Sequence, residues 1–259
     1  MYCDTHAHLD EEQFDAVRDQ VVERALAAGV STIVTVGTTL SSSAASIALA
    51  RQYRSVFAAV GLQPNYTGQA AAGDWDQVVR LAAEPLVAAV GETGLDRYWD
   101  FTPFAVQQDY FDRHLRLAQQ CDLPVIVHMR DCAPETLAML REARQRGPLR
   151  GVMHAFSGDA ETARECLELG LYVSFAGMVT FKKSQALRDV ARTIPAERLL
   201  IETDSPYLTP HPRRGHQPNE PAFLLHTAAC LAEVRGMDLA SFADLTTTNA
   251  TRLFRFPER

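Results

Sequence analysis

Short apolar runs recur along the chain and indicate its architecture. Eight of them have the length of β-strands. Runs such as 125–127 are apolar without alternation, which is typical of strands buried on both faces of a parallel sheet. The predicted strands are Tyr2–His6, Thr32–Val36, Val56–Val60, Val87–Gly91, Val125–His128, Gly151–His154, Leu171–Phe175 and Leu199–Glu202.

Segments with helical spacing separate these strands. The segment Glu11–Ala28 is amphipathic, and Gly29 follows it at the position that commonly ends a helix. Proline and glycine positions, together with apolar spacing, predict further helices over 104–120, 134–146, 159–169 and 221–235. Eight strands alternating with helices in about 250 residues predict an α/β fold, a (β/α)8 TIM-type barrel with parallel strands and outer helices. An open doubly wound sheet is the alternative, but it would more often have a glycine-rich loop after the first strand.

Composition narrows the class of protein. No low-complexity linker divides the 259 residues, so we predict a single domain over 1–259. The net charge of −7 argues against a broad basic surface for nucleic acid, although an enzyme can hold phosphate through metal ions and a few local cations. Five cysteines without a CxxC pair, no recognisable signal peptide and no apolar run of about 20 residues predict a cytoplasmic protein with no membrane partner.

Coordinating side chains lie where the predicted strands end. They are His6, His8, Glu92, His128, His154 and Asp204. In a barrel, the carboxyl ends of the strands converge on one mouth, where catalytic groups lie. A single histidine or carboxylate after a strand is more often structural, but six such residues at the ends of five strands favour a metal site.

The donor types indicate which metals such a site would hold. Imidazole and carboxylate together suit transition metals and zinc better than an all-oxygen calcium site. Six protein ligands are too many for one catalytic metal that keeps open positions. They suit two ions that share a bridging carboxylate, which can activate a water molecule while a nearby carboxylate accepts its proton. We therefore expect two divalent metal ions, Zn, Mn or Mg, as cofactors.

Seven segments of the chain, several of which contain these residues, form recognisable motifs. They read DTHAHLD, VGETGLDRYW, QQDYFDRHLRLAQQCDLPVIVHMRDC, GVMHAFSG, FAGMVTFKKS, LLIETDSPYLTP and NEPAFL, and they run from residue 4 to about residue 224. In sequence and order they resemble the motifs of the TatD-type metal-dependent deoxyribonuclease family of the amidohydrolase superfamily, and the resemblance covers essentially the whole chain.

The resemblance implies the same barrel and a role for each coordinating residue. The first metal would be bound by His6, His8 and Asp204, both metals by Glu92, and the second metal by His128 and His154. Asp204 and Glu92 would be the catalytic residues, and Asp204 would orient or deprotonate the nucleophilic water. The implied activity is hydrolysis of DNA phosphodiesters by a 3′-to-5′ exonuclease, with RNA as the open alternative substrate and no obligate protein partner.

Substrate contacts are predicted from cations near the mouth and from one departure from the family pattern. The family commonly has a histidine in a GxHP motif after the third strand, whereas this chain has Gln63 there, which can form hydrogen bonds but carries no charge. Positive groups near the predicted mouth could hold phosphate. The predicted substrate-binding residues are Lys182, Arg130, Arg97, Gln63 and Arg214.

Two other functions stay open at this point. The acidic balance and Gln63 are compatible with an amidohydrolase-type barrel that hydrolyses an ester, amide or phosphoester of a small molecule. A DNA-associated metal-binding factor with vestigial activity is the other alternative. The complete set of predicted ligands argues against it, because an abandoned site usually loses a ligand.

Overall fold

The computed structural model describes residues 1–258 and contains the predicted barrel. Its strands are β1 Tyr2–Ala7, β2 Val30–Val36, β3 Val56–Val60, β4 Val87–Asp96, β5 Val125–Arg130, β6 Gly151–Met153, β7 Tyr172–Phe175 and β8 Leu199–Ile201. Each strand pairs in parallel with the next. A parallel bridge joins Ala7 to Ser205, and the Asp204 N–H donates to the His6 carbonyl at 2.9 Å. These contacts join the last strand to the first, so the predicted (β/α)8 fold is confirmed.

Nine α-helices follow or separate the strands within residues 1–258. They are α1 Arg18–Ala27, α2 Leu40–Gln52, α3 Asp74–Leu81, α4 Phe104–Cys121, α5 Ala133–Arg146, α6 Ala160–Glu168, α7 Gln185–Thr193, α8 Leu224–Val234 and α9 Leu239–Phe254. The first helix begins at residue 18 and not at residue 11 as predicted. The preceding segment forms a 3-10 turn at 12–14 that buries Phe14 separately. A similar turn at 221–223 delays the start of α8.

Strand β4 continues five residues beyond its predicted end at Gly91. The added residues pair with β5 as far as Asp96 opposite Arg130. Gly94 makes this approach possible, because its φ is +140° and a Cβ there would lie 2.0 Å from the carbonyl oxygen of His128. Glu92 and Asp96 therefore both belong to the strand and, at spacing four, share one of its faces.

Alternate strand residues separate into two apolar clusters. Residues such as Ile126 and Leu200 form a cluster with Phe57 and with Phe254 at the end of α9. The other residues of the strands join a larger cluster that contains helical side chains such as Leu115. Period-two alternation produces this division, since successive side chains of a strand point to opposite faces.

Within residues 1–258, we find no helix with both the length and the hydropathy of a membrane span. The predicted domain extends to Arg259, which lies outside the described residues.

Candidate metal centre

The barrel brings all six predicted ligands together. His6 lies in β1, Glu92 in β4 and His128 in β5, and the other three follow the ends of strands. His6, His8, Glu92 and His154 are buried, and the side chains of His128 and Asp204 are only 17% and 13% exposed. Residues separated by up to 198 positions thus share one small volume. The placement agrees with the predicted site, while the role of each residue as a ligand stays a prediction.

Glu92 lies between two pairs of histidines. Its Oε2 is 3.5 Å from His6 Nε2 and 3.7 Å from His8 Nε2. Its Oε1 is 2.9 Å from His128 Nδ1 and 3.2 Å from His154 Nε2. Each carboxylate oxygen therefore faces its own pair of imidazole nitrogens. Among residues 1–258, three groups of side chains could hold a metal ion. Two of them share Glu92, and the third consists of His6, His154 and Glu202.

Asp204 faces only one of these pairs. Its Oδ1 is 3.5 Å from the Nε2 atoms of both His6 and His8, which are themselves 3.1 Å apart. The residue follows β8 with a φ of +53°, and its backbone N–H donates to the His6 carbonyl. This backbone conformation directs the carboxylate across the mouth toward the end of β1.

Partners outside the centre fix the orientation of two histidine rings. Nδ1 of His8 lies 2.8 Å from the carbonyl oxygen of Val36, which can only accept, so this nitrogen carries the proton. Nε2 of His128 lies 2.9 Å from the carboxylate of Asp96 and donates to it. The nitrogens that face Glu92 are therefore left with lone pairs when the rings are neutral. This pairing is typical of histidines that bind metals.

The other two rings are held differently. Nδ1 of His154 lies 3.4 Å from Oε1 of Glu202 but forms no hydrogen bond within residues 1–258. The same Oε1 accepts from the Ala155 N–H at 2.5 Å. Nδ1 of His6 is buried and has no hydrogen-bond partner among residues 1–258. The His6 ring is positioned by packing, since it stacks on His154 with centroids 4.1 Å apart.

The electrostatics of the centre require positive charge. Burial raises the pKa of Glu92, but His154 and His128 outweigh it and hold that pKa well below its usual range. Burial likewise raises the pKa of Asp204, and hydrogen bonding to His8 together with nearby histidine charge lowers it overall. Both groups are thus buried carboxylates facing ring nitrogens, an arrangement that is stable only around a cation.

In the metal-free protein, protons supply that charge. Burial lowers the pKa of His8, but Asp204 and Glu92 raise it to about 9. His154 shows the same balance, and its pKa lies well above the usual value because of Glu92 and Glu202. Bound metal would replace these protons, as metal binding to histidine generally does. The donor set therefore fits divalent cations.

Two buried carboxylates that adjoin the centre were not assigned roles from the sequence. Asp96 is the acceptor for His128, and Glu202 lies beside His154. Each lies an even number of residues from a predicted ligand along the same stretch of chain, Asp96 four after Glu92 and Glu202 two before Asp204. For Asp96 that spacing was the available indication, because even spacing on a strand places side chains on one face. Glu202 and Asp204 both follow the end of β8, so the strand argument does not extend to them.

A cavity of about 680 Å³ opens over the centre. Two of the predicted substrate-binding residues line it, Gln63 and Arg130. The Oε1 of Gln63 accepts from the Asn65 N–H at 2.8 Å, which fixes the side chain at the edge of the cavity. The guanidinium of Arg130 lies 3.7 Å above the ring of Tyr98.

The other three predicted substrate-binding residues are not among those that line the cavity. Arg97 forms an ion pair with Glu135 at 2.7 Å. Arg214 lies over the ring of Phe181 at 3.8 Å, and Lys182 is exposed. These residues were predicted near the mouth because they follow the ends of predicted strands. In the structure, contacts with neighbouring side chains hold Arg97 and Arg214 away from the cavity lining. Contact between these three residues and a substrate stays a prediction.

A parallel eight-stranded barrel with histidines and carboxylates gathered at the carboxyl ends of its strands defines a class, the metal-dependent hydrolases. The family model for TatD-related DNase matches residues 3–255, and the chain belongs to this family. It is 40% identical over 255 residues to the uncharacterized metal-dependent hydrolase YabD of Bacillus subtilis, and the aligned region covers 98% of this chain and 99% of that protein.

Two further relatives extend the comparison. A protein of Citrobacter rodentium named 3′-5′ ssDNA/RNA exonuclease TatD is 38% identical over 255 residues, with 97% of each chain covered. The crystal structure of the TatD homologue YJJV from Escherichia coli superposes with a TM-score of 0.92 at 32% identity, covering 99% of this chain and 98% of that one. The protein is thus a metal-dependent hydrolase of the TatD family, as the sequence motifs predicted.

Proposed function

We propose that this hydrolase cleaves DNA phosphodiester bonds and removes nucleotides from the 3′ end of single strands. The observation that carries the proposal is the position of Glu92, whose two oxygens face separate pairs of histidines under a cavity. Such a carboxylate suits two divalent ions, the arrangement that serves in-line displacement at phosphorus. The name of the Citrobacter relative supports the choice of single-stranded nucleic acid.

The proposed ligands divide between two ions. His6, His8 and Asp204 would hold the first, His128 and His154 the second, and Glu92 both. Metal ions in these positions would lower the pKa of a bound water molecule and neutralise charge on the phosphate. Their identity, whether Zn, Mn or Mg, and their number belong to the proposal, as does a cytoplasmic location of the single domain.

Asp204 is proposed to orient the attacking water and to accept its proton. The carboxylate is ionised at neutral pH, because neighbouring histidines lower its pKa. A base with a low pKa holds a proton weakly, so its main contribution is to align the water by accepting a hydrogen bond. Its backbone bond to His6 keeps the carboxylate in place while this happens.

Arg130 and Gln63 are proposed to hold the phosphate. Arg130 is the one lysine or arginine among the described residues that line the cavity, and its planar guanidinium can donate two parallel hydrogen bonds. Gln63 has its oxygen engaged by Asn65, which leaves the amide N–H groups as donors. A neutral donor at this position gives a weaker phosphate contact than a protonated histidine would.

The test begins with protein stripped of metal by a chelator. We expect it to leave a 3′-labelled single strand intact and to degrade it after addition of Mg²⁺, Mn²⁺ or Zn²⁺. Degradation by fully stripped protein would contradict the proposal. Turnover of a small ester or lactone without any oligonucleotide cleavage would replace it with a small-molecule hydrolase. Salt-dependent DNA binding without cleavage under any metal would replace it with a binding factor.

A further inference from the structure

Exposed aromatic side chains surround the mouth of the cavity. Among residues 1–258, nine large hydrophobic side chains are exposed, and the aromatic ones are Tyr66, Tyr98, Trp99, Phe101 and Tyr207. Four of these five line the cavity, and Tyr98 packs against one of the four. Aromatic surface left in water beside a candidate active site indicates a surface that binds a ligand.

Three of these residues form one ordered unit, which we call the aromatic block: Tyr98, Trp99 and Phe101. The rings of Trp99 and Phe101 are nearly parallel, at 11°, with centroids 5.1 Å apart. Tyr98 stands perpendicular to Trp99 at 4.8 Å, and Arg130 covers its ring. Rings that are already ordered lose little conformational entropy when a ligand stacks on them.

Asp96 ties the aromatic block to the candidate metal centre. Its Oδ1 accepts from the backbone N–H groups of Tyr98 and Trp99, at 2.8 and 3.1 Å. Its Oδ2 accepts from Nε2 of His128 at 2.9 Å. One buried carboxylate thus fixes both the His128 ring and the backbone that carries the block. A ligand stacked on the block would have a defined position relative to the reacting phosphate.

The charges around the cavity indicate what the block binds. The proposed metal ions would serve the scissile phosphate, but a protein that also holds the neighbouring phosphates of a strand needs further cations. Arg130 is the one lysine or arginine among the described lining residues, and the net charge is −7. Aromatic rings can instead stack on any base, because every base has a π-face. In a duplex those faces are covered by neighbouring pairs.

Building on the proposed nuclease function, we propose that the aromatic block forms a stacking subsite for unpaired nucleobases next to the scissile phosphate. Tyr66 and Tyr207 line the same cavity from other segments of the chain. The protein then selects single strands by ring stacking and not by a basic groove.

The test measures binding in the absence of cleavage. A fluorescent thymidine decamer with hydrolysis-resistant phosphorothioate linkages is titrated with metal-loaded protein, and anisotropy reports the Kd. We expect W99A and F101A each to raise the Kd about 5- to 150-fold, since a stacked base contributes about 1–3 kcal/mol. W99F keeps a ring and should stay within about 3-fold of the original protein. Leu239→Ala is the matched control, because Leu239 is about as exposed as Trp99 but does not line the cavity.

Two further readouts separate stacking from general damage. A decamer with abasic positions should bind the original protein weakly, and W99A should lose nothing further on it. A plot of the logarithm of the binding constant against the logarithm of the salt concentration should have a slope of about −0.7, as for a single phosphate contact on a single strand. Three results would overturn the subsite. The first is unchanged binding by W99A and F101A, and the second is additive loss of affinity from W99A and abasic positions. The third is a salt slope several times steeper than that of a single phosphate contact.

The binding assay does not depend on hydrolysis, so the two proposals fail separately. Ring-dependent binding without cleavage of the natural strand would refute the nuclease function and retain the subsite. Cleavage of single strands by a protein whose binding is insensitive to W99A and F101A would refute the subsite alone.

Discussion

The substitution Asp96→Asn changes how the candidate metal centre is held without removing a predicted ligand. The carboxylate accepts from four donors: Tyr98 N–H and Trp99 N–H on one oxygen, and Asn65 Nδ2 and His128 Nε2 on the other. An asparagine has one acceptor oxygen, and its NH₂ group is only a donor. In either orientation of the amide, two of the four donors lose their acceptor and face another donor.

The magnitude follows from the pKa of Asp96. Burial alone raises it, but hydrogen bonds and charge from His128, with Trp99 N–H and Asn65, lower it from 3.8 to about 2. At about 1.4 kcal/mol per pKa unit, the charged form is favoured by about 2 kcal/mol in the metal-free protein. We expect the neutral amide to lower the free energy of unfolding by about that amount. Removal of the outer partner of a metal-binding histidine typically weakens metal binding about 10- to 100-fold.

Calorimetric titration of metal-free protein with Zn²⁺ or Mn²⁺ measures the effect, and urea denaturation measures stability. We expect the affinity of the site that includes His128 to fall about 10- to 100-fold in D96N. Glu135→Gln is the matched control, because Glu135 is an acid that pairs with Arg97 on the partly exposed surface. Metal affinity and stability equal to those of the original protein would refute the assigned role of Asp96.

Three further predictions follow from other parts of the structure. Burial lowers the pKa of His114 from 6.5 to about 4, so between these pH values the unfolded chain binds a proton that the folded protein does not. The free energy of unfolding should fall by up to about 3 kcal/mol as pH drops through this window, and urea denaturation of H114N should show a smaller fall. Gly94→Ala places a Cβ against the carbonyl of His128 and should lower stability by more than about 2 kcal/mol. Gly73 also has a positive φ, +90° against +140° at Gly94, but a Cβ there would meet open space, so a loss in Gly73→Ala as large as in Gly94→Ala would contradict the clash argument. Asp204→Asn should reduce kcat on single-stranded DNA at least about 100-fold, and full activity would remove Asp204 from the mechanism.

The fold and the gathering of the six residues followed from local patterns. Buried strands are marked by continuous apolar runs, and parallel strands in a barrel bring their carboxyl ends to one mouth. His6 and Asp204 could therefore be placed together although almost two hundred residues separate them. Spacing along the chain predicts only where each strand ends, whereas closure of the barrel predicts which of those ends lie close together in space.

The features that sequence missed depend on contacts between distant segments. The extension of β4 exists because residues 93–96 pair with β5, and no local pattern records that pairing. Asp96 and Glu202 are important through their histidine partners, which are 32 and 48 residues away along the chain. The guanidinium of Arg97 pairs with Glu135 outside the cavity, and the sequence does not indicate this pairing because Glu135 is distant along the chain.

The centre around Glu92 is proposed to hydrolyse nucleic acid from the 3′ end. The most direct test of this proposal is product mapping on a 5′-labelled single strand with metal-reconstituted protein and with E92Q. We expect a ladder of products that shorten one nucleotide at a time from the 3′ end, and this ladder should be absent without metal and lost in E92Q. An intact strand under Mg²⁺, Mn²⁺ and Zn²⁺, or an unchanged ladder with E92Q, would contradict it.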